Sequence, residues 1–282
     1  MEASMNTTDN KTLSLNDQFS NDRTINPLDV LPEEISLEIF SKLQPTDLGR
    51  CGLVSKQWEV LANDESLWKA MEKPANAFGA KQWAEHFFGI IVDEPPLPLN
   101  IHKILKSQCP FSEKGKKVED THVLVLIPGS FNGKPLTLKT FGEHVHLRYP
   151  ELGQNGYRCL WDAAGECGGN GKSHWVLMTK DVLSESRNKS FAAQQKKVEE
   201  GGQGNYQVPE ALDVVVCAIS EYARSGGATR LLNDKPRTYT RCQDKIEGYQ
   251  IVVGGFASAG LDVFCHNSDN DFIGVGALRK FF

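Results

Sequence analysis

The sequence has no long hydrophobic run, no closely spaced cysteine pair and no excess of positive charge. No apolar run approaches the about 20 residues that a membrane-spanning helix needs, and residues 1–23 lack the basic start and apolar stretch of a secretory signal. Seven cysteines in 282 residues, with none spaced as C-x-x-C, do not make a disulfide framework. A net charge of −5 offers no basic footprint for nucleic acid or an anionic membrane. These absences predict a soluble, cytoplasmic protein of a reducing compartment, with neither nucleic acid nor membrane as a partner.

Repeats of solenoid or propeller period are also absent from the sequence. The length allows a small domain followed by a larger one, and composition divides the chain accordingly. We predict a disordered leader at residues 1–26, a small helical domain at 27–73, a helix and proline-rich linker at 74–100, and an α+β domain at 101–282. The leader is rich in Ser, Thr, Asn and Asp, a composition that also allows a non-classical export signal.

Residues 31–69 carry the most specific pattern. Pro32 suits the first helical position, and acidic side chains at 33 and 34 then lie at the positive end of the helix dipole. The apolar residues that follow fall in one stripe of this helix: Ile35, Ile39, Phe40 and Leu43. Pro45 ends it, and a second helix is expected through the apolar series Leu48, Cys51, Val54, Trp58 and Leu61. Such a unit is too short to bury much apolar surface alone, so we expect it to use a neighbour or partner.

The order of residues in this stretch resembles the F-box. The matching residues are Leu31-Pro32-x-Glu34-Ile35, Ile39-Phe40, Leu43, Asp47-Leu48, Cys51, Val54-Ser55, Trp58 and Leu67-Trp68. The resemblance implies binding to the Skp-family adaptor that links F-box proteins to a cullin-type ubiquitin ligase. The contacts that it implies are made by Leu31 and Pro32 as anchors, joined by exposed parts of Ile35, Ile39, Leu43, Leu48, Val54 and Trp58. From periodicity alone, each of these apolar residues could equally pack inside a small helical bundle.

The remainder of the chain alternates strand and helix patterns. Residues 122–127 predict a strand buried on both faces, and Asn132-Gly133 predicts a turn within 130–138. Helices are expected at 78–92, 101–106, 189–199 and 209–224. Further strands are expected at 157–161 and 174–179, paired as an antiparallel hairpin, and at 237–242, 249–254, 261–265 and 272–278. This series predicts an α+β fold, a small all-helical domain followed by a domain with a mainly antiparallel sheet.

Three segments in the second domain resemble an uncharacterised domain that follows F-boxes in proteins of intracellular chlamydia-like bacteria. The segments are SHWVLMTKDV, TYTRCQ and VVGGFASAGL. The resemblance implies a bacterial effector that uses the ligase machinery in the cytosol of a eukaryotic host. It brings no known activity and no binding residues.

Two candidate catalytic motifs occur in the same domain. Residues 168–173 end like a phosphate-binding P-loop, but Glu166 stands where the motif needs a glycine, so a glycine-rich loop is favoured. Cys167 and His174 form the pair that best fits a thiol nucleophile and its base, although spacing selects no pair. Cys217 and Cys242 lie in apolar segments and are predicted to be small buried residues.

A third candidate is a recognition surface, because Arg187, Arg237 and Arg241 stand beside hydroxyl and aromatic residues. Two functions therefore follow from the sequence. The first is a non-catalytic substrate adaptor of an E3 ubiquitin ligase, which holds its target through residues 101–282 and needs neither cofactor nor metal. The alternative is a thiol hydrolase-like enzyme domain that is localised through the F-box.

Overall fold

The computed structural model describes residues 31–40, 43, 45–65, 67–68, 72–91, 93–112, 115–152, 158–159, 167–169 and 171–282. The chain divides into two compact units, with the division between Leu67 and Trp68. The predicted disordered leader lies outside the described residues. The described part of the chain is α+β: helices alone in the first unit, and helices with two larger sheets in the second.

The first unit contains helices α1 (Glu33–Phe40), α2 (Pro45–Cys51) and α3 (Lys56–Ala62). The carbonyl of Pro32 accepts the N–H groups of Ile35 and Ser36, at 3.1 and 3.0 Å, so α1 starts where the proline predicts. The single second helix expected from the apolar series is wrong. Ser55 begins a new helix instead, because its hydroxyl accepts the N–H of Trp58 at 3.2 Å.

One sheet of the second unit has four strands in the order β1-β2-β6-β11. They are β1 (Ala77–Phe78), β2 (His122–Ile127), β6 (His174–Thr179) and β11 (Leu278–Phe281). The pair β1–β2 is parallel and the other two pairs are antiparallel. Every residue of β2 and β6 is buried, which confirms the prediction that 122–127 is covered on both faces.

A second sheet has five strands in the order β10-β7-β8-β9-β5. They are β5 (Arg158–Cys159), β7 (Tyr239–Ile246), β8 (Tyr249–Ala257), β9 (Gly260–Cys265) and β10 (Ile273–Gly274). The three long strands are antiparallel, and the short outer strands pair in parallel. A two-stranded hairpin, β3 (Ser130–Phe131) with β4 (Lys134–Pro135), turns through Asn132-Gly133 as predicted.

Two strand predictions are wrong in their pairing. Residues 157–161 and 174–179 do not form a hairpin, because β5 pairs with β9 whereas β6 lies between β2 and β11. Residues 272–278 are not one strand, because the chain leaves the five-stranded sheet after β10 and enters the other sheet at β11. Local patterning carries the strand preference but not the identity of the distant partner.

The helices of the second unit pack around the two sheets. They are α4 (Ala80–Phe87), α5 (Ile101–Lys106), α6 (Val118–Thr121), α7 (Leu138–Arg148), α8 (Phe191–Gly201) and α9 (Ala211–Arg224), with a 3-10 helix at Pro150–Leu152. Helix α9 contacts strands of both sheets and is buried on every side from Ala211 to Ala223. We expected one buried face, but two sheets enclose the helix. Helix α7, which Thr137 caps, is absent from the predictions. Among the described residues, no helix is both long and apolar enough to cross a membrane.

The segment 74–100, predicted as a helix and linker, is packed into the second unit. Phe78, Trp83 and Phe87 belong to its main core. The indole of Trp83 donates to the Leu126 carbonyl at 3.0 Å, and that of Trp175 donates to the Pro95 carbonyl at 2.8 Å. Buried indole N–H groups with backbone partners fix this segment against the four-stranded sheet.

Candidate partner-binding site

Helix α1 has a buried face and a neighbouring face of exposed apolar side chains. Ser36 and Phe40, four residues apart, are buried. Leu31, Ile35 and Ile39 follow the same spacing one position earlier and keep between 36% and 44% of their surface exposed. We call these three residues the α1 stripe. In an ordinary amphipathic helix the exposed positions are polar, so the α1 stripe is an apolar surface available for association.

A partner that buries the α1 stripe would gain a substantial free energy from so small a unit. Full burial of a leucine or isoleucine side chain stabilises by roughly 1.5–3 kcal/mol. The α1 stripe is already half covered, so its three side chains retain a large part of that gain for a partner. Phe40 completes the inner face, where its ring meets the ring of Trp58 at 5.4 Å between centroids.

The remaining residues of the implied contact set divide between surface and interior. Pro32 and Val54 are exposed, and Leu43 and Trp58 are half-buried. The expectation that part of Leu48 is exposed is wrong, because its side chain is fully buried in the first unit. At this position the core reading that periodicity left open is the correct one.

Two exposed apolar residues of the first unit were missed. Leu53 and Val60 are both largely exposed, Leu53 between α2 and α3 and Val60 on α3. Val60 does not share the face of α3 that buries Leu61. An apolar residue away from the buried face of a helix is the sequence signal that could have identified Val60 as exposed. Together with Val54, these residues add apolar surface to the unit.

The second unit engages His174 in a buried polar cluster. Its Nδ1 lies 3.1 Å from the Lys172 carbonyl, and its Nε2 lies 3.4 Å from Oδ1 of Asp213. Asp213 in turn meets Lys280 Nζ at 3.0 Å, and Lys280 lies 3.2 Å from Glu210. Burial lowers the pKa of Lys280, but the carboxylates of Asp213 and Glu210 together raise it by a larger amount. The pKa of Lys280 is therefore above its usual value. This cluster ties β11 to the first turn of α9.

The two cysteines predicted to be buried are confirmed as such. Cys217 and Cys242 are fully enclosed, and burial raises the pKa of both thiols well above the usual value. A thiol that stays protonated is neither a nucleophile nor a metal ligand. Among the residues that the structure describes, no group of three or more His, Cys, Asp or Glu side chains is placed to hold a metal ion.

Two of the three candidate recognition arginines, buried Arg241 and half-buried Arg187, donate their hydrogen bonds within the second unit. Arg241 is buried and donates to the carbonyls of Lys189 and Ser268, at 3.2 and 3.0 Å. Arg187 donates to the carbonyl of Phe272 at 3.2 Å and to Thr238 Oγ1 at 2.9 Å. These guanidinium groups hold loops together, since their planar donors match several carbonyl acceptors at once.

Arg237 remains at the surface, with its guanidinium 4.5 Å from the centre of the Phe272 ring. The described part of the glycine-rich loop pairs with the start of α7, where the Leu138 N–H donates to the Cys167 carbonyl at 2.8 Å. The P-loop position Glu166 lies outside the described residues.

A cavity of about 370 Å³ opens elsewhere in the second unit, and its lining includes Cys109, Phe111 and Lys116. Lys180, which also lines this cavity, donates from Nζ to the Asp120 carbonyl at 3.0 Å.

Comparison with known proteins identifies a family for residues 28–72, which include helices α1 to α3. Residues 28–72 match the F-box-like family. The chain is 53% identical over 38 residues to human F-box/WD repeat-containing protein 8, and 54% identical over 39 residues to mouse F-box/LRR-repeat protein 5. Each alignment covers 14% of this chain and only 6% of the relative. No solved structure matches the chain. The resemblance of the second domain to chlamydia-like bacterial proteins stays a prediction. Residues 28–72 are thus an F-box-like domain, and the α1 stripe lies inside it.

Proposed function

We propose that this chain is a substrate-recruiting F-box adaptor. Its F-box-like domain binds a Skp-family protein and through it a cullin-type ubiquitin ligase, and its second unit holds the target. The proposal is supported by the family match of residues 28–72 and by relatives that carry the F-box in their names. Those relatives are named for WD or leucine-rich repeats, whereas this sequence shows no such repeat. The target would therefore be held by an α+β surface.

The α1 stripe is the observation that carries the proposal. Leu31 just before α1, and Ile35 and Ile39 on it, remain substantially exposed, although the neighbouring face with Ser36 and Phe40 is buried. A helix presents apolar side chains at this spacing when a partner covers them. In such an adaptor the chemistry is proximity, because ubiquitin transfer takes place on proteins that the adaptor holds together. The chain itself needs no catalytic residue for this role.

The proposal extends to the cellular setting. We propose that the chain acts in the cytosol of a eukaryotic host as an effector of an intracellular bacterium, which rests on the C-terminal resemblance alone. The thiol-hydrolase alternative has no comparable support. His174 is buried, with Nδ1 3.1 Å from the Lys172 carbonyl and Nε2 3.4 Å from Asp213 Oδ1, and these oxygen atoms account for its place in the polar cluster of the second unit.

Binding of the purified chain to a purified Skp-family adaptor tests the proposal. Ile35→Asp places a charge in the α1 stripe, and we expect the affinity to fall on the order of 100-fold, because an unpaired carboxylate would be desolvated in the interface. Tyr249→Asp is the matched control, since it introduces the same charge at an exposed apolar residue of the second unit.

The expected result is normal binding by wild type and Tyr249→Asp and lost binding by Ile35→Asp. Circular dichroism of each variant checks that the helices remain folded. Absence of binding by wild type to any Skp-family adaptor would refute the adaptor function. Adding a cullin to the complex and following co-elution tests the link to the ligase.

A further inference from the structure

The second unit exposes three large apolar side chains on one part of its surface. Phe88, Ile90 and Leu147 each keep between 72% and 79% of their surface exposed, more than any residue of the α1 stripe. We call these three residues the Phe88 patch. Phe88 and Ile90 belong to the segment after α4, whereas Leu147 lies in the last turn of α7. The residues of the Phe88 patch thus come from two segments that are distant in the sequence.

Two contacts bring the two segments together. The guanidinium of Arg148, which follows Leu147 directly, lies 4.7 Å from the centre of the Phe88 ring. On the other side, Ile90 is joined to Asn132, and the neighbouring Phe131 packs edge-on against the His144 ring of α7 at 4.5 Å. The segment 88–90 and the last turns of α7 thus lie side by side, which places the three exposed side chains of the Phe88 patch on adjacent segments.

The patch is held rigidly by its backbone. The N–H of Ile90 donates to Asn132 Oδ1 at 2.9 Å, and the carbonyl of Ile90 accepts the N–H of Asn132 at 3.4 Å. Gly89 lies so close to Phe131 that an added Cβ would overlap the ring. A surface that is ordered before binding loses little conformational entropy when a partner covers it.

Phe88 itself adopts a conformation that bulky residues avoid. It ends α4 with φ of 55°, in the left-handed region that glycine or asparagine normally occupies at a helix C-terminus. The ring gains no burial in return, because it remains largely exposed. A residue that costs conformational energy and contributes little to the core points to a role in binding.

The charges beside the patch favour one kind of partner. The guanidinium of Arg148 lies over the Phe88 ring, whereas Lys134 on the hairpin and Glu143 on α7 act on His144 with opposite sign, Glu143 more strongly. Glu143 is the one acidic residue of α7. Arg148 is the cation in contact with the Phe88 ring, so it attracts an acidic group to this side of the patch although the chain as a whole has a net charge of −5. A two-fold contact between copies would instead bring Arg148 of each copy against the same patch, where the two guanidinium groups would repel each other.

We propose that the Phe88 patch docks a short peptide segment of the target protein in which apolar side chains are flanked by Asp or Glu. The inference rests on the proposed adaptor function and names the surface that would hold the target. Apolar side chains of the segment would cover Phe88, Ile90 and Leu147. Its carboxylates would pair with Arg148, which lies over the Phe88 ring, and with Lys134 on the neighbouring hairpin, since such ion pairs set specificity.

Fluorescence anisotropy with two labelled 12-residue peptide pools tests the proposal on the full chain. Both pools alternate Leu, Ile or Phe with charged residues, which are Asp and Glu in one pool and Lys and Arg in the other. We expect the acidic pool to bind at least tenfold more tightly. Leu147→Asp and Arg148→Glu should each weaken it by tenfold or more, and the exposed control Tyr249→Asp should leave it unchanged.

Equal binding of the two pools, or wild-type affinity in both patch variants, would overturn the proposal. So would a concentration-dependent dimer in light scattering that Leu147→Asp abolishes, because the occupant would then be a second copy. Binding to the Skp-family adaptor is measured for every variant in parallel. Retained adaptor binding with no peptide binding refutes this docking surface alone, and lost adaptor binding by wild type refutes the proposed function.

Phe88→Gly separates a binding role from a structural one. Glycine relieves the left-handed conformation and removes the ring, so the unfolding midpoint should stay equal or rise while peptide affinity falls at least fivefold. A lower unfolding midpoint with unchanged peptide affinity would assign Phe88 to the fold and contradict the proposal.

Discussion

Helices α1 and α9 carry apolar residues at the same helical spacing, but those of α9 are all buried whereas part of those of α1 remain exposed. In α9, thirteen consecutive residues from Ala211 to Ala223 are buried, because sheets cover the helix on both sides. In α1, the inner face is buried and the α1 stripe is not. The comparison teaches that periodicity reports which residues share a face, whereas the surroundings decide whether that face becomes core or interface.

The buried polar cluster around α9 offers the strongest test of how much the second unit depends on its interior. Lys280→Met leaves the Asp213 carboxylate buried without its cation, and we expect the free energy of unfolding to fall by about 3–5 kcal/mol. Lys196→Met removes an exposed cation that lies 3.6 Å from Glu200, and it should change stability by less than about 1 kcal/mol. Urea denaturation measures both variants. Equal losses of stability in the two variants would show that the buried Asp213–Lys280 ion pair contributes no more than an exposed ion pair.

Truncating one isoleucine in each helix compares a fully buried side chain with a half-exposed one. Ile219→Ala creates a cavity in fully buried α9 and should cost about 2–5 kcal/mol. Ile39→Ala removes a half-exposed side chain from the α1 stripe and should change stability by no more than about 1 kcal/mol, while weakening adaptor binding. Denaturation and adaptor titration are measured on the same preparations. A large loss of stability in Ile39→Ala would place the α1 stripe in the core.

The two units should also differ in acid. All seven histidines lie after residue 67, so histidine titration acts on the second unit alone. Burial lowers the pKa of His122 from 6.5 to about 4. Between these values the unfolded chain binds the proton and the folded chain does not, so stability is lost as the pH falls from 6.5 towards 4.

His122→Gln isolates this contribution. Wild type should lose about 2–3 kcal/mol between pH 7 and pH 4.5 through His122, and the variant should lack that part of the loss. Urea denaturation at both pH values gives the difference, and the gap between wild type and variant is the quantity to compare. The same pH dependence in both proteins would contradict a neutral, buried His122.

The smallest expected effect concerns the other exposed surface. Phe88→Gly relieves a left-handed conformation that costs about 1–2 kcal/mol, but it removes the contact with Arg148 and adds freedom to the unfolded chain. We expect a net gain of roughly 0–1 kcal/mol in the free energy of unfolding. Thermal denaturation measures it beside Ile39→Ala. A clear loss would mean that the Phe88 ring supports the fold.

Much of the fold follows from local pattern. The start of α1 after Pro32, the limits of β2 and β6 and the turn at Asn132-Gly133 are set by residues within one element. The strand pairings that were wrong involve partners far apart in the chain, such as β5 with β9. Helix α7 was missed because its buried residues, Leu138, Phe141, Gly142 and Val145, are few and are separated by polar residues and histidines.

The same division applies to the candidate sites. Ile35 and Ile39 were predicted to share an apolar stripe with Phe40 and Leu43, but Phe40 is buried on a neighbouring face of α1, so the stripe was predicted only in part. The ordered motif around it pointed to the F-box. The Phe88 patch had no sequence signal, since its residues come from segments that are almost 60 positions apart. Arg187 and Arg241 looked like surface cations until the loops that they hold were visible.

The sequence by itself determined the helical F-box-like domain, its family and the α+β class of the second unit, because these depend on short-range spacing, capping and propensity. Only the tertiary structure decided that Leu48 is core while Ile35 and Ile39 remain exposed, and that Phe88 meets Arg148. Burial and charge pairing depend on residues brought together from distant parts of the chain. A side chain that can serve either core or interface is therefore assigned by its three-dimensional neighbours.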